Sequence, residues 1–132
     1  MIKIYTDAGS RGNPGKSACA FLIIDNNKII KQESKFLGIA TNNEAEYNAV
    51  ILALKQIEKQ NIKQEIHLFS DSQLVVRQIK GEYKITKLHL QLLNNQIQSL
   101  IKGKNIKFSN LPRENKFIAK ADELVNQELD KH

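Results

Sequence analysis

Residues 6–18 read TDAGSRGNPGKSA, and the fold depends on whether this stretch is a nucleotide-binding loop or a turn between two strands. The phosphate-loop pattern G-x-x-x-x-G-K-[ST] needs glycine where this chain has Ser10, and it needs a helix directly after the lysine. A strand-like segment, SACAFLIID, follows instead. Asn13-Pro14-Gly15 has proline second and glycine third, which predicts a type II turn in a hairpin loop. Backbone N–H groups of such a glycine-rich turn are still able to face an anion.

The segments around this loop predict three antiparallel strands in a meander. MIKIYTDA alternates apolar and polar residues with period two, as a strand with two distinct faces does. SACAFLIID is a second strand, and NKIIKQESKF is a third beyond the turn signal Asn26-Asn27.

The rest of the chain alternates helices with strands. In chain order we predict the helix TNNEAEYNAVILALKQIEKQ capped by Thr41 or an adjacent Asn, the strand QEIHLFSDS, a short helix from about Ser72 to Lys80, the amphipathic helix TKLHLQLLNNQIQSLIK stopped by Gly103, the strand KNIKFSNL, and a helix over roughly Phe117 to Asp130. The order βββαβααβα implies an α/β fold with a five-stranded mixed sheet, three antiparallel strands followed by two further strands, and helices on both faces.

Composition limits the class of protein. With 132 residues and 41% hydrophobic content, we expect a single domain over residues 1–132. No apolar run reaches membrane-spanning length and the N-terminus does not resemble a signal peptide, so we expect a soluble, cytoplasmic protein that does not engage a membrane. The lone Cys19 is expected to be a packed thiol. A net charge of +6 favours a polyanionic partner such as nucleic acid, although charge alone is a weak indication.

Four carboxylates stand out by their positions. Glu46 lies on the apolar stripe 46-50-53-57 of the first predicted helix, and Asp122 lies on the stripe 118-122-125-129 of the last. Asp7 and Asp71 each sit at the C-terminal end of a predicted strand, where open α/β sheets commonly place their sites. These four acids are therefore the candidate functional residues.

Two interpretations of these acids remain open at this point. Each acid has an ordinary structural explanation: Asp71 or Ser72 caps a helix, Glu46 lies in a first helical turn, and Asp122 pairs with a lysine. Alternatively, four carboxylates near the core need a positive partner, because unpaired buried charge is costly. Oxygen ligands without a Cys or His cluster suit Mg2+, and two such ions about 4 Å apart support phosphoryl displacement.

The motifs TDAGSRGNPG, TNNEAEY, SDSQ and a late AD on a helix, in that order, resemble the type 1 ribonuclease H family over essentially the whole chain. The resemblance implies a ribonuclease H-like fold and an endonuclease that cuts the RNA strand of an RNA/DNA hybrid. It also implies two Mg2+ ions, with Mn2+ as a substitute, and products with 3'-hydroxyl and 5'-phosphate ends. The family's metal-binding catalytic acids fall on Asp7, Glu46, Asp71 and Asp122.

The resemblance also implies which residues contact the hybrid. These positions are Ser10, Asn13, Thr41, Asn42, Asn43 and Gln73. In the family, the Asn and Gln positions read the minor groove and the 2'-hydroxyls, the groups by which RNA differs locally from DNA. The positions of Asn13 and Thr41 help seat a DNA phosphate.

The chain departs from the better-known bacterial members in two respects. It has no His on the loop before the last acid, where Arg113 is the nearest substitute, as in the archaeal-like subgroup. It also lacks the long basic handle between two helices, since KGEYKITK connects them directly. A small basic patch remains, consisting of Arg77, Lys80, Lys84 and Lys87. It either follows the DNA backbone or is an ordinary solvated face.

The sequence therefore predicts a metal-dependent ribonuclease H that works as a monomer on an RNA/DNA hybrid and requires no protein partner. Two alternatives remain: a hybrid-binding module with weak or no activity, and a nuclease of the same fold that acts on double-stranded RNA or DNA junctions.

Overall fold

The computed structural model describes residues 1–132 and contains nine helices and strands in the predicted order. The strands are β1 (Ile2–Gly12), β2 (Gly15–Asp25), β3 (Lys28–Ala40), β4 (Ile66–Ser70) and β5 (Ile106–Asn110), and the helices are α1 (Asn42–Lys59), α2 (Gln73–Ile79), α3 (Leu88–Ile101) and α4 (Lys116–Asp130). The helix bounds lie within about two residues of the prediction, whereas β1 and β3 each run four residues further.

None of the four helices combines the length and apolar character needed to cross a membrane.

The five strands form one mixed sheet in the order β3-β2-β1-β4-β5. β1, β2 and β3 are an antiparallel meander, as predicted, and β4 and β5 add to the other side of β1 in parallel. β1 is therefore the central strand, and it has a different kind of neighbour on each side. The parallel pairing places the C-terminal end of β4 beside Thr6, near the middle of β1.

Helices cover both faces of this sheet, which confirms the predicted architecture. The largest core cluster contains Ile2 and Ile4 of β1 together with buried residues of α1, α2 and α3. Tyr5 of β1 belongs to a second cluster with Ile118 and Ala121 of α4. Because side chains alternate along a strand, the period-two pattern of β1 delivers apolar residues to both layers.

The loop between β1 and β2 is a hairpin turn, so the exclusion of a phosphate loop is confirmed. Gly12 pairs with Gly15, which leaves Asn13 and Pro14 as the two central residues. The Asn13–Pro14 peptide bond is cis. The predicted type II turn is wrong, because the strand register makes Pro14 the third and Gly15 the fourth residue of the turn, one place later than the prediction put them.

Gly15 is required by the close approach of the backbone in this turn. A Cβ atom at Gly15 would lie 2.3 Å from the Arg11 carbonyl oxygen and 2.7 Å from that of Gly12. Backbone atoms held in a strand pair cannot move aside as the tip of a flexible side chain can. Gly9, on the same strand, has room for a Cβ, since its nearest neighbour would be Val125 Cγ1 at 3.5 Å.

We expect Gly15→Ala to destabilise the protein by about 1–3 kcal/mol, the usual cost of forcing extra volume into a packed position. Gly9→Ala is the matched control, and its effect on the free energy of unfolding should be clearly smaller. Urea denaturation of both variants measures the difference. Equal stability of the two variants would contradict the assignment of Gly15 to a backbone close approach.

Candidate functional site

Three of the four predicted acids meet at the edge of the sheet. One carboxylate oxygen each from Asp7, Glu46 and Asp71 lies within 4.8 Å of the others. The three residues come from β1, α1 and the segment that follows β4, so the site depends on tertiary structure and not on a local motif.

The register of the sheet brings Asp7 and Asp71 together. Thr6 and Ser70 are the last pair in the parallel ladder between β1 and β4, so Asp7 and Asp71 are the next residue on each strand. Asp71 follows the end of β4, as predicted, but β1 continues past Asp7 to Gly12. The prediction that Asp7 ends its strand is therefore wrong: Asp7 marks the end of pairing with β4, while pairing with β2 goes on.

The start of α1 fixes the third acid. Thr41 caps the helix by accepting a hydrogen bond from Glu44 N at 3.2 Å, and Glu44 Oε1 accepts from Thr41 N at 2.9 Å. This capping box sets where the helix begins. One turn further, the Tyr47 hydroxyl donates to Gln78 Oε1 of α2 at 2.7 Å, in the buried interior. Glu46 therefore extends from a helix that is anchored on both sides of it.

The ordinary structural roles proposed for these acids are filled by other residues or left empty. Ser72, not Asp71, caps α2, with its hydroxyl accepting from Val75 N at 3.3 Å. Glu44, not Glu46, completes the cap of α1. Asp122 makes no ion pair with a lysine. Asp71, Glu46 and Asp122 therefore do not take the ordinary roles proposed for them.

Crowding makes the ionised form of this group unstable without a counterion. Two unit charges 4.8 Å apart repel by about 3 kcal/mol at an effective dielectric constant of about 20. Three such pairs together would cost about as much as the whole stability of an ordinary domain, roughly 5–15 kcal/mol. The site must therefore take up either protons or a cation.

Burial adds to this repulsion. Asp7 is 4% exposed. Desolvation, followed by the charge of Asp71 and by a hydrogen bond and charge interaction with Asp122, raises the pKa of Asp7 to about 9. The pKa of Glu46 is well above its usual range, first through desolvation and then through the charges of Asp7 and Asp71.

The donor set fits a hard metal ion. Glu46 Oε1 and Asp71 Oδ1 are both buried, and neither has a hydrogen-bond partner. Buried polar atoms without a partner are rare in native proteins, and a bound ion is one explanation for them. All the available ligand atoms are carboxylate oxygens, the type that magnesium, calcium and manganese prefer.

Asp122 and Arg113 lie next to this group but have different relations to it. Asp122 is outside the tight group of three, yet it is close enough to Asp7 to raise the pKa of that residue. Arg113 Nε is 3.6 Å from Asp71 Oδ2, and the arginine side chain is 81% exposed. Its positive charge partly opposes the rise in the pKa of Glu46. The loop before α4, which lacks the His found in bacterial members of the resembled family, therefore places the positive charge of Arg113 beside the acids.

Most of the predicted hybrid-contacting residues line one polar cleft. It has a volume of about 460 Å3, and its lining consists of Asn13, Pro14, Thr41, Asn42, Asn43, Lys87, His89 and Leu90. Asn13 Oδ1 accepts a hydrogen bond from Asn42 N at 3.0 Å, which joins the hairpin turn to the start of α1. Ser10 is outside this cleft: its hydroxyl bonds to Ser17 and to the Ala40 carbonyl oxygen.

Gln73 lies in a second cleft, at the start of α2, with a volume of about 410 Å3. Arg77 and Lys80 line this cleft, whereas Lys87 lines the first one, so the predicted basic patch is divided between two surfaces. The patch also contains an acid that the sequence analysis missed. Glu82 bonds to both Arg77 and Lys80.

The lone cysteine and two of the histidines lie outside the group of acids. Cys19 is fully buried, and burial raises the pKa of its thiol to about 12. His67 Nε2 and the Ser109 hydroxyl are hydrogen-bonded at 2.7 Å, and the His67 ring stacks on Phe69, so His67 is a packed residue. His89 lies outside the acid group as well, but it lines the first cleft. Its helical position in the sequence gave no signal of that contact.

Comparison with known proteins identifies relatives of the whole chain. A family model described as reverse transcriptase-like matches residues 5–127. Ribonuclease HI of Halobacterium salinarum is 32% identical over 98% of this chain, and the bifunctional protein Rv2228c of Mycobacterium tuberculosis is 33% identical over 98%. The chain spans 64% of the length of the first relative and 35% of the second.

Solved structures of ribonucleases H have the same fold as this chain. The crystal structure of LC11-RNase H1 in complex with an RNA/DNA hybrid superimposes with a TM-score of 0.94 at 36% identity, covering 99% of this chain and 98% of that one. RNase H1 from Halobacterium salinarum gives a TM-score of 0.93 at 32% identity, with coverage of 99% and 98%. The predicted ribonuclease H-like fold is confirmed.

The crowding of carboxylates predicts how stability depends on pH in the absence of metal. Folding raises the pKa of the Asp7 carboxyl from about 4 in the unfolded chain to about 9. The protonated carboxyl therefore stabilises the folded state fully below about pH 4. This stabilisation is lost as the pH rises towards about 9. In EDTA we therefore expect Asp7→Asn to be more stable than the wild type at about pH 8, on the order of 2 kcal/mol, with the difference shrinking towards pH 4.

Asp130→Asn provides the control, because Asp130 is exposed and pairs only with Arg11 on the surface. It should not become more stable as the pH rises. Urea denaturation at several pH values measures all three proteins. An Asp7→Asn variant that is less stable than wild type at pH 8 in EDTA would show that Asp7 is not crowded.

Proposed function

This chain belongs to the reverse transcriptase-like family, and on that premise we propose that it is a metal-dependent ribonuclease H. It would hydrolyse the RNA strand of an RNA/DNA hybrid and leave 3'-hydroxyl and 5'-phosphate ends. The single observation that carries this proposal is the convergence of Asp7, Glu46 and Asp71, with two buried carboxylate oxygens that lack any partner.

The acids are the residues that would hold the metal. Asp7, Glu46 and Asp71 offer oxygens from three separate elements, and Asp122 lies beside Asp7 to complete the set. When bound, two Mg2+ ions, or Mn2+ in their place, would supply charge stabilisation to the attacking and leaving oxygens of a phosphodiester. Asp71 also pairs with Arg113, whose exposed guanidinium is available to a phosphate at the mouth of the site.

The two clefts would position the substrate on either side of these acids. Asn13 and Thr41, joined to the start of α1, would seat a phosphate of the DNA strand. Asn42, Asn43 and Gln73 carry amide groups that are able to donate and accept hydrogen bonds, as reading a 2'-hydroxyl and the minor groove requires. The proposed acting unit is a monomer.

The cleavage experiment uses a labelled RNA/DNA hybrid with Mg2+. Asp7→Asn should lower the cleavage rate by more than about 100-fold. Removing a residue that only hydrogen-bonds to a metal ligand already lowers metal affinity or activity by about 10- to 100-fold, and Asp7 is proposed as a ligand itself. Glu58→Gln is the matched control. It also removes one negative charge, but it lies at the far end of α1 and pairs with Lys104, so its rate should equal that of the wild type.

A substrate panel decides between this function and its alternatives. The panel contains the hybrid, double-stranded RNA, a duplex with one embedded ribonucleotide, and a branched DNA junction. We expect the hybrid to be cleaved fastest. Binding of hybrid without cleavage would identify a binding module, and equal rates on DNA junctions would identify a nuclease of the same fold with another substrate.

A further inference from the structure

Glu82 forms ion pairs with two of the four residues in the predicted basic patch. Its Oε1 is 3.0 Å from Arg77 Nη1, and its Oε2 is 3.3 Å from Lys80 Nζ. All three side chains are partly exposed, between 41% and 43%. One carboxylate therefore occupies the two cations that an incoming phosphate would use.

The backbone after α2 holds Glu82 in this position. Gly81 adopts the left-handed conformation with φ of 80°, which reverses the chain direction. The N–H groups of Glu82 and Tyr83 both donate to the Arg77 carbonyl oxygen, at 2.9 and 3.2 Å. The Arg77 guanidinium also lies 5.4 Å from the centre of the Tyr83 ring. Because the backbone carries the loop, the carboxylate of Glu82 is not needed to fold it.

This ion-pair group lies in the cleft lined by Gln73, close along the chain to Asp71. Arg77, Lys80 and Glu82 line the same cleft as Gln73, which is two residues after Asp71. Asn110 lines it as well, and its side chain donates to the carbonyl oxygen of Ser70, directly before Asp71. A phosphodiester chain leading away from the acids along this cleft would pass Arg77 and Lys80.

We infer that Glu82 is an internal competitor of the nucleic-acid backbone: it holds Arg77 and Lys80 until a phosphate displaces it, and so weakens binding and lowers its dependence on salt. This inference rests on the proposed function, because it places the same substrate, an RNA/DNA hybrid, in the cleft that Gln73 lines. It assigns Glu82 a role in substrate affinity and not in catalysis.

The salt dependence gives the inference a quantitative consequence. Each phosphate that a protein cation neutralises releases about 0.9 counterion from duplex nucleic acid. In the wild type, the displaced Glu82 carboxylate would attract a cation from solution, which offsets part of this release. Without that carboxylate, the slope of log affinity against log salt should become steeper, by at most about 0.9.

The test compares Glu82→Gln with Glu58→Gln, which changes the net charge by the same amount at the far end of α1. Binding to an RNA/DNA hybrid is measured in an Asp7→Asn background, which prevents cleavage, over a series of salt concentrations. We expect Glu82→Gln to bind about three- to tenfold more tightly at low salt, with the steeper slope, and Glu58→Gln to bind like the background.

Two further measurements separate competition from other effects. In an Arg77→Gln, Lys80→Gln background, Glu82→Gln should gain nothing, because its partners are absent. In the enzyme with Asp7 intact, Glu82→Gln should lower KM for the hybrid, and its thermal unfolding should match that of the wild type, because exposed ion pairs contribute little to stability.

The outcomes distinguish this inference from the proposed function. If the wild type cleaves the hybrid but Glu82→Gln has the affinity, salt slope and KM of Glu58→Gln, the competition is refuted and the proposed function stands. If the wild type does not cleave the hybrid and the Asp7→Asn protein does not bind it, the proposed function has failed and the inference fails with it.

Discussion

Electrostatic crowding of buried carboxylates is the constraint on which the functional site depends. Asp7, Glu46 and Asp71 bring oxygens within 4.8 Å of one another, and Glu46 and Asp71 each have a buried carboxylate oxygen without a partner. Such an arrangement is unfavourable for the folded protein on its own, since protons or a cation must neutralise it. A site that opposes stability and is nonetheless held by well-capped, well-packed elements is typical of function.

The fold holds these acids together through the parts that pack best. Parallel pairing of β1 with β4 ends beside Asp7 and Asp71, while β1 continues in its antiparallel pairing with β2. The capping box at Thr41 and Glu44 fixes the start of α1, and α1 packs on the same sheet through the largest core cluster. The same start of α1 lines the polar cleft with Asn42 and Asn43. The position of the acids and the shape of the neighbouring cleft therefore have a common structural origin.

Sequence reasoning recovered the order of the elements and selected Glu46 and Asp122 because both results depend on periodicity, whereas it selected Asp7 and Asp71 by their positions at strand ends. A carboxylate on an apolar stripe, as at Glu46, breaks a pattern that is visible over a few residues. The misses depend on features that periodicity does not encode. The pairing of Gly12 with Gly15 placed the turn one residue earlier than expected. β3, an edge strand whose residues are all exposed or half-buried, lacks the alternation that would mark its end at Ala40. The place of Glu82 between two cations follows from the left-handed turn at Gly81, which orients a side chain that looks ordinary in sequence.

The most direct test of the central claim is calorimetric titration of Mg2+ into the protein at about pH 7.5, in buffers with different ionisation enthalpies. Metal binding to a protonated carboxyl must release its proton, and the pKa of Asp7 is about 9 without metal. We expect Mg2+ to bind with release of protons, and Asp7→Asn to bind more weakly and to release fewer. Absence of binding, or equal affinity and proton release in the two proteins, would contradict the claim that crowded acids at this edge of the sheet form a cation site.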